Sequence, residues 1–460
     1  MPWHQVSPGH FERQFDSLEI FYRAIADAGA PLKRQHYLIS SSVRLKQIPP
    51  PDQVKQTWKA LRQQHPQIAA LPDESGTRLT YTSPSPADLE AWADETFIVE
   101  SVDSSGDHLY KTLQPSPLFK LYYLPGTREL LFRAPHWRID GIGLMHLQAA
   151  FLRILANGPP ADLQFDGSEA ARLSPSFDEA ASIPLEAGDS IYQAADAELD
   201  VFRNGLPSIS IPTLPNALPT APRRMISGFS AGTTQRIISA CKAHGITVTT
   251  AAHAALVVAT LPYAQVNFDP ATRGCGGGKY TCFNAIDLRK YLPAPYSSSS
   301  TAVSIYHTGI PFSVDLSLNN TFTSMASVLA KGYSRNLSKD EPRNALQFQA
   351  EYVRKVLELL GAAPEDPLRA PAHPELSSIG VVNGYLQADY EGKASRHEVE
   401  DWWIAVEVIN RLLCTNVWTW NGEMKLNVNW NEAFYDEDFV INFLDEWKMA
   451  LVEGLKVDIR

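Results

Sequence analysis

The stretch PHWRIDG, residues 135–141, joins a predicted strand to a predicted helix in this chain of 460 residues. The strand covers residues 129–136 and the helix covers residues 141–155, because an extended apolar run gives way to a helix-like segment. A histidine at a strand terminus can project into a cleft, and its ordinary pKa suits a general base near neutral pH. Asp140 stands just before the helix, where exposed backbone N–H groups favour a carboxylate. His136 and Asp140 are therefore candidate catalytic residues.

Hydrophobic patterns on both sides of this stretch predict a mixture of strands and helices. The predicted elements are a strand over 36–45, a hairpin of the strands over 118–123 and 129–136 turning at Pro125-Gly126, a helix from residue 52 capped by Asp52, an apolar helix over 247–261 capped by Thr247, a hairpin over 417–430 turning at Asn421-Gly422, and a closing helix over 436–455. We therefore expect an α/β fold with mixed β-sheets flanked by helices.

A proline-rich segment divides the chain near its middle. Seven prolines fall between residues 174 and 224, and prolines at this density remove backbone donors and forbid helix interiors. The segment is expected to be largely extended. This predicts an N-terminal domain over 1–175, a crossover linker over 176–223 and a C-terminal domain over 224–460.

The charge balance limits the possible partners. Forty Lys and Arg residues against 51 Asp and Glu residues give a net charge of −11, so the protein as a whole repels polyphosphates. We expect no nucleic-acid partner. An anionic ligand would need a local basic patch.

The sequence also predicts a soluble, cytoplasmic protein with no membrane partner. Its N-terminus lacks the apolar stretch of a signal peptide, and no later stretch reaches 18 apolar residues without a charge or a proline. Its four cysteines are scattered and form no disulfide framework.

Several familiar catalytic patterns are missing from the sequence. It contains no metal-ligand set such as H-E-x-x-H, so we expect no metal, and no G-x-S-x-G elbow of a serine hydrolase. The glycine-rich run over 274–279 has Arg273 where a Walker loop needs its first glycine, and Tyr280 where it needs a serine or threonine. The run is therefore not a Walker loop.

The stretch PHWRIDG resembles the H-H-x-x-x-D-G signature shared by chloramphenicol acetyltransferase, plant BAHD acyltransferases and condensation domains of nonribosomal peptide synthetases. Other segments resemble elements of that superfamily in the same order. They are LRQQHP over 61–66, the apolar helix over 249–259, NAIDLR over 284–289, SSIG over 377–380 and the hairpin over 421–430. The resemblance therefore spans most of the chain.

Within this superfamily, the opening segment over 11–25 looks most like fungal acetyltransferases of secondary metabolism, especially the trichothecene 15-O-acetyltransferase group. Two departures distinguish the sequence from other branches. Pro135 replaces the first histidine of the double-histidine form, which many O-acyltransferases do not need. The D-F-G-W-G sequence of BAHD enzymes is absent, which favours a sister branch.

The resemblance implies two chloramphenicol acetyltransferase-like domains with an active-site tunnel at their interface. It implies that His136 is the general base and that Asp140 pairs with Arg289 to hold the histidine loop. Gly141, which lets the backbone approach closely, and Asp287 would support the site. The protein is expected to be a monomer.

The implied reaction uses acetyl-CoA or another acyl-CoA as cosubstrate. The glycine-rich run either is a connecting loop or places Arg273 and Lys279 on the coenzyme A phosphates. The leading hypothesis is an acyl-CoA-dependent O-acyltransferase that acetylates a small natural product such as a sesquiterpenoid.

Two alternatives remain open at this point. One is a stand-alone condensation-type enzyme that uses a carrier-protein thioester to make an amide or ester, or that has been recruited to cyclisation. The other is a non-catalytic binding protein on the same scaffold. The intact His136 and Asp140 argue against the second.

Overall fold

The structure is a computed structural model that describes residues 2–184, 186–266, 278–337, 345–361 and 370–458. The chain forms two compact units, each assembled from three separate segments. Unit 1 contains Met1–Pro184, Asp287–His307 and Val382–Val406, and unit 2 contains Leu185–Ile286, Thr308–Val381 and Glu407–Arg460. Two segments of the predicted C-terminal domain thus pack in unit 1, and the predicted linker over 176–223 is divided between the units.

The described strands alternate with helices along much of the chain. The strands are β1 His4–Ser7, β2 His10–Gln14, β3 Ile39–Leu45, β4 Leu71–Pro72, β5 Arg78–Thr82, β6 Phe97–Val99, β7 Lys120–Leu124, β8 Glu129–Ala134, β9 Ile209–Ser210, β10 Pro222–Gly228, β11 Gln265–Val266, β12 Lys279–Asp287, β13 His307–Asp315, β14 Pro374–Val381, β15 Asp389–Glu391, β16 Arg396–Val406, β17 Leu413–Trp420 and β18 Glu423–Asn431. The helices are α1 Ser17–Asp27, α2 Pro51–Gln64, α3 Pro86–Thr96, α4 Gly106–Thr112, α5 Gly141–Asn157, α6 Phe177–Ala180, α7 Asp189–Arg203, α8 Ala231–Ala243, α9 Val248–Thr260, α10 Phe322–Tyr333, α11 Ala345–Gly361 and α12 Glu437–Gly454. The predicted α/β class is confirmed.

Unit 1 is built on a six-stranded mixed sheet with the order β15-β16-β3-β8-β7-β6. The predicted hairpin is confirmed, because β7 and β8 pair antiparallel across Pro125-Gly126. The other neighbour of β8 is β3, and β3 pairs in turn with the late strand β16. Helix α5 follows β8, packs against α2 and is buried along most of its length.

Two predicted strand ends of unit 1 need correction. The strand expected from His36 begins at Ile39, after Tyr37 with a left-handed φ of 59°. The strand expected to end at His136 ends at Ala134, because Pro135 has no N–H to donate to a neighbouring strand. His136 therefore lies in a turn between β8 and α5.

Two predictions about helices are also wrong in part. Helix α2 begins at Pro51 after Pro50, without a side-chain cap, so Asp52 lies in the first turn and is not the N-cap. The segment predicted to be largely extended contains the 15-residue helix α7. All seven prolines of that segment lie outside α7, so nothing in its own sequence opposes a helix.

Unit 2 contains a four-stranded sheet with the order β10-β18-β17-β14. The predicted β17–β18 hairpin is confirmed, since Asn421 and Gly422 have φ values of 47° and 81°, as a type I′ turn requires. Helix α9 begins after the predicted cap Thr247. It packs with α12 and the sheet in one hydrophobic core.

In the described ranges, no single helix is long and apolar enough to cross a membrane. The bent pair Ala231–Ala243 and Val248–Tyr263 passes the length and composition test only when its two helices are taken together. Most of α9, which lies in this pair, is buried in the core of unit 2.

Candidate active site

His136 lies in an aromatic and imidazole environment within unit 1. Its ring stacks on that of Tyr22, with the centroids 5.1 Å apart and the planes at 10°. The ring of His307 lies 5.2 Å away. Burial, reinforced by His307, lowers the pKa of His136, while its own backbone carbonyl and Asp140 act in the opposite direction. The imidazole is therefore neutral near pH 7 and can accept a proton.

Asp140 is buried and uses both carboxylate oxygens. Its Oδ1 caps α5 by accepting from the backbone N of Gly143 at 2.7 Å. Its Oδ2 accepts from Arg289 Nη1 at 2.8 Å and from the backbone N of Tyr306 at 2.8 Å. Burial alone would raise the pKa of Asp140, but Arg289 and His307 hold it well below its usual range. The expected contact between Asp140 and Arg289 is present, as a buried ion pair.

Arg289 connects the motif to a second segment of unit 1. Its Nη1 also donates to Asp287 Oδ1 at 3.1 Å, and its Nη2 lies 3.4 Å from Ser304 Oγ. The guanidinium covers the ring of Tyr306 at 5.3 Å. Burial and Asp140 raise the pKa of Asp287 even though Arg289 opposes this shift. Asp287 is thus the weaker of the two carboxylate partners.

A close backbone approach in the motif occurs at Gly143. Gly141 is the first residue of α5. A Cβ atom on Gly143, however, would lie 2.1 Å from the carbonyl oxygen of Ala302. The backbone N of Asp140 donates to the Ser304 carbonyl at 3.1 Å. The segment around Ala302 and Ser304 therefore holds the start of α5.

Arg138 is a buried cation for which sequence reasoning predicted no role. Its guanidinium donates to the backbone carbonyls of Gln67, Ile68, Ala70 and Pro117 at 2.6–3.0 Å. Burial lowers the pKa of Arg138 to about 10. The arginine therefore ties the motif to the backbone of residues 67–70 and to Pro117 by donating to their carbonyl groups.

Sequence reasoning also missed Tyr22 and His307. The hydroxyl of Tyr22 lies 2.6 Å from His307 Nε2, although the two residues are 285 positions apart. His307 Nδ1 lies 3.8 Å from Asp140 Oδ2, too far for a direct hydrogen bond. Tyr22 belongs to the segment over 11–25 that carried the narrower resemblance, whereas no motif pointed to His307.

The two residues expected at coenzyme A phosphates remain unassigned. Lys279 opens β12 in unit 2, where its ammonium donates to the backbone carbonyl of Asn204 at 2.8 Å. Arg273 lies outside the described residues. Over the part of the chain that is described, no group of three or more His, Cys, Asp and Glu side chains is placed to hold a metal ion.

Comparison with known proteins shows the family to which this chain belongs. No family model matches the sequence. The chain is 33% identical to acetyltransferase pigO of Monascus ruber over 99% of both chains. It belongs to this family of fungal acetyltransferases. The acetyltransferase is also 29% identical to O-acetyltransferase pigM of Monascus ruber, over 100% of this chain and 88% of pigM.

Solved structures share the fold of this acetyltransferase. The TRI3 trichothecene 15-O-acetyltransferase of Fusarium sporotrichioides matches with a TM-score of 0.82, 18% identity and 98% coverage of both chains. The first condensation domain of the CDA synthetase matches with a TM-score of 0.65 and 14% identity, over 98% of this chain and 97% of that chain. These matches confirm the predicted mixed α/β fold.

Proposed function

We propose that this acetyltransferase transfers an acetyl group from acetyl-CoA to a hydroxyl group of a small natural product, with His136 as the general base. The observation that carries the proposal is a neutral imidazole beside a buried Asp140–Arg289 ion pair. The relative pigM is named an O-acetyltransferase, and the TRI3 enzyme acetylates a trichothecene oxygen. Both names favour a hydroxyl acceptor such as that of a sesquiterpenoid.

The proposed reaction is a direct transfer in which His136 handles the proton. The Nδ1 atom of His136 is buried, so the acceptor's hydroxyl proton passes to Nε2. The acceptor oxygen attacks the thioester carbonyl carbon, and the resulting oxyanion adduct collapses with cleavage of the C–S bond. The thiolate leaves and takes the proton from His136, which yields coenzyme A, the acetyl ester and the starting enzyme.

In this scheme Asp140 is a positioning residue. Its carboxylate is occupied by Arg289 and by two backbone N–H groups. It therefore fixes the turn that carries His136 and the first turn of α5. No acyl-enzyme is required, because the acceptor attacks the thioester itself.

Donor binding can be tested without knowing the acceptor. Purified protein is titrated with acetyl-CoA and with CoA by calorimetry, and thermal unfolding is followed in parallel. A ligand at 100 times its dissociation constant adds about 2.7 kcal/mol to the free energy of unfolding. Saturable binding with a higher melting temperature supports the proposal, and absence of binding across a panel of acyl-CoA esters contradicts it.

Turnover then identifies the acceptor and separates the two possible donors. A panel of hydroxylated sesquiterpenoids and other alcohols is incubated with enzyme and acetyl-CoA, and products carrying one added acetyl group are sought by mass spectrometry. The same panel is run with an acetyl group on a phosphopantetheinyl carrier protein. Activity with the carrier thioester alone would replace the donor in this proposal by a condensation-type donor.

A further inference from the structure

We propose that Tyr22 and His307 are positioning residues that hold the imidazole of His136 in the orientation needed for proton transfer. The proposal rests on the proposed function of His136 as the base. Its basis is a contact chain inside unit 1 that leads from Asp140 through His307 and Tyr22 to the face of His136.

The last contact in this chain is a stacking interaction. Tyr22 is 8% exposed, and its ring lies almost parallel to that of His136. The stacked ring covers one face of the imidazole, which restricts its rotation and keeps water from that face. Because His136 Nδ1 has no hydrogen-bond partner in another described residue and only its own backbone carbonyl acts on it, the stacked ring supplies the orienting contact from outside the residue.

The middle contact joins Tyr22 and His307, and its donor and acceptor can be assigned. His307 Nδ1 is buried, has no hydrogen-bond partner in the described ranges and faces Asp140 Oδ2 at 3.8 Å. An N–H at this position is attracted to the carboxylate, whereas a lone pair would be repelled. This geometry favours the His307 tautomer with its proton on Nδ1, in which Nε2 accepts from the hydroxyl of Tyr22 across 2.6 Å.

Tyr22 is held in turn by the well-capped helix α1. Asp16 and Glu19 form a capping box at its first turn. The Glu19 carboxylate pairs with the buried Arg13, and Ser17 Oγ donates to Asp178 Oδ1 at 2.6 Å. The ring of Tyr22 is thus positioned at both ends, by its helix and by its hydroxyl.

The titratable groups that face His136 are Tyr22, Tyr37, His36, His307 and Asp140. His307 acts on it from the first residue of β13 and Asp140 from the residue before α5, and His36 lies close enough to interact with its charge. Burial lowers the pKa of His36 to about 3 and so keeps it neutral, whereas Asp140 is a carboxylate paired with Arg289. Removal of the Tyr22 ring would admit water to the imidazole, so the acid limb of the kcat/KM profile is expected to move to higher pH.

The test compares kcat, KM and pH profiles of Tyr22→Phe, Tyr22→Leu and His307→Leu in the acetyl-transfer assay. Tyr22→Phe and His307→Leu each remove one end of the hydroxyl–imidazole contact, and both should lower kcat roughly tenfold with little change in KM. Since they break the same contact, the double variant should be no slower than the slower single variant. Tyr22→Leu should lose more activity and shift the acid limb.

Two controls distinguish positioning from folding. Tyr192→Phe, at an exposed tyrosine on α7, should keep wild-type kcat. His307→Gln, which still offers an acceptor to the Tyr22 hydroxyl, should recover part of the rate lost in His307→Leu. Melting temperatures establish that each variant is folded, and Tyr22→Phe alone decides the matter if His307→Leu does not fold.

The outcomes separate this proposal from the proposed function. Wild-type kcat in folded Tyr22→Phe and His307→Leu, or losses that multiply in the double variant, would overturn the positioning role. If His136→Ala is inactive at the same time, the function of His136 as base stands. If His136→Ala is fully active, the proposed function fails first and this inference fails with it.

Discussion

Asp140 shows how one carboxylate can organise a whole loop. Burial of an isolated aspartate would be costly, but two backbone hydrogen bonds and the Arg289 guanidinium compensate for the lost water. The two partners are 149 residues apart in sequence. Their ion pair therefore joins the histidine motif to the segment that carries Tyr306.

Replacement of Asp140 should destabilise the protein and also slow acetyl transfer. Asp140→Ala leaves Arg289 buried beside only the weaker partner Asp287, and we expect a loss of about 3–5 kcal/mol in the free energy of unfolding. Urea unfolding measures this loss, with the exposed Asp103→Ala as the control. A fully stable but inactive Asp140→Ala would contradict the positioning role.

At the scale of elements, helix α5 begins where two backbone segments meet. The approach at Gly143 leaves no room for a methyl group, because Ala302 stands on the other side. The adjacent bond between Asp140 and Ser304 depends on the same approach. The site therefore depends on how the start of α5 packs.

We expect Gly143→Ala to lower the free energy of unfolding by roughly 1–3 kcal/mol, as overpacking does. It should also slow acetyl transfer by shifting the turn that carries His136. The matched control is Gly232→Ala in α8, where the added methyl group would meet only Arg236, at 3.9 Å. Thermal unfolding and kcat are measured for both variants. Equal melting temperatures and equal kcat values in the two variants would rule out tight packing at Gly143.

Local signals predicted the elements that depend on local sequence. Asn421-Gly422 predicted its hairpin and Thr247 its helix cap, since φ preferences and capping act within a few residues. The pairing of β16 with β3 depends on segments more than 350 residues apart, and no periodicity reports it.

The residues of the candidate site were likewise predicted only where a sequence motif marks them. The motif and its resemblance led to His136, Asp140 and Arg289. They did not lead to Tyr22 or His307, because an ordinary tyrosine in a helix and a lone histidine carry no pattern of their own. They also did not lead to the close approach at Gly143, since only the fold determines which glycine meets another segment.

At the scale of the whole molecule, buried histidines should limit stability in acid. Burial lowers the pKa of His36 and His253 to about 3 and that of His65 to about 4. In the unfolded chain these groups titrate near 6.5. As the pH falls below that value, the unfolded state binds protons first, so stability is lost progressively.

One such histidine lowers the free energy of unfolding by up to roughly 2 kcal/mol at pH 5, relative to neutral pH. We expect urea unfolding to show a loss between pH 7.5 and pH 5 that is smaller in His36→Phe, which keeps an aromatic ring against Tyr37. The exposed His108→Ala should retain the wild-type pH dependence. Identical pH dependence in wild type and His36→Phe would exclude His36 as a source of acid sensitivity.

The most direct test of the account is the rate of acetyl-ester formation by His136→Ala with acetyl-CoA and the acceptor found in the panel. His108→Ala serves as the matched control, and melting temperatures establish that both variants are folded. Loss of a general base should reduce kcat by about 10²–10⁴-fold in His136→Ala and leave His108→Ala unchanged. Wild-type kcat in folded His136→Ala would contradict the central claim that this imidazole takes the acceptor's proton.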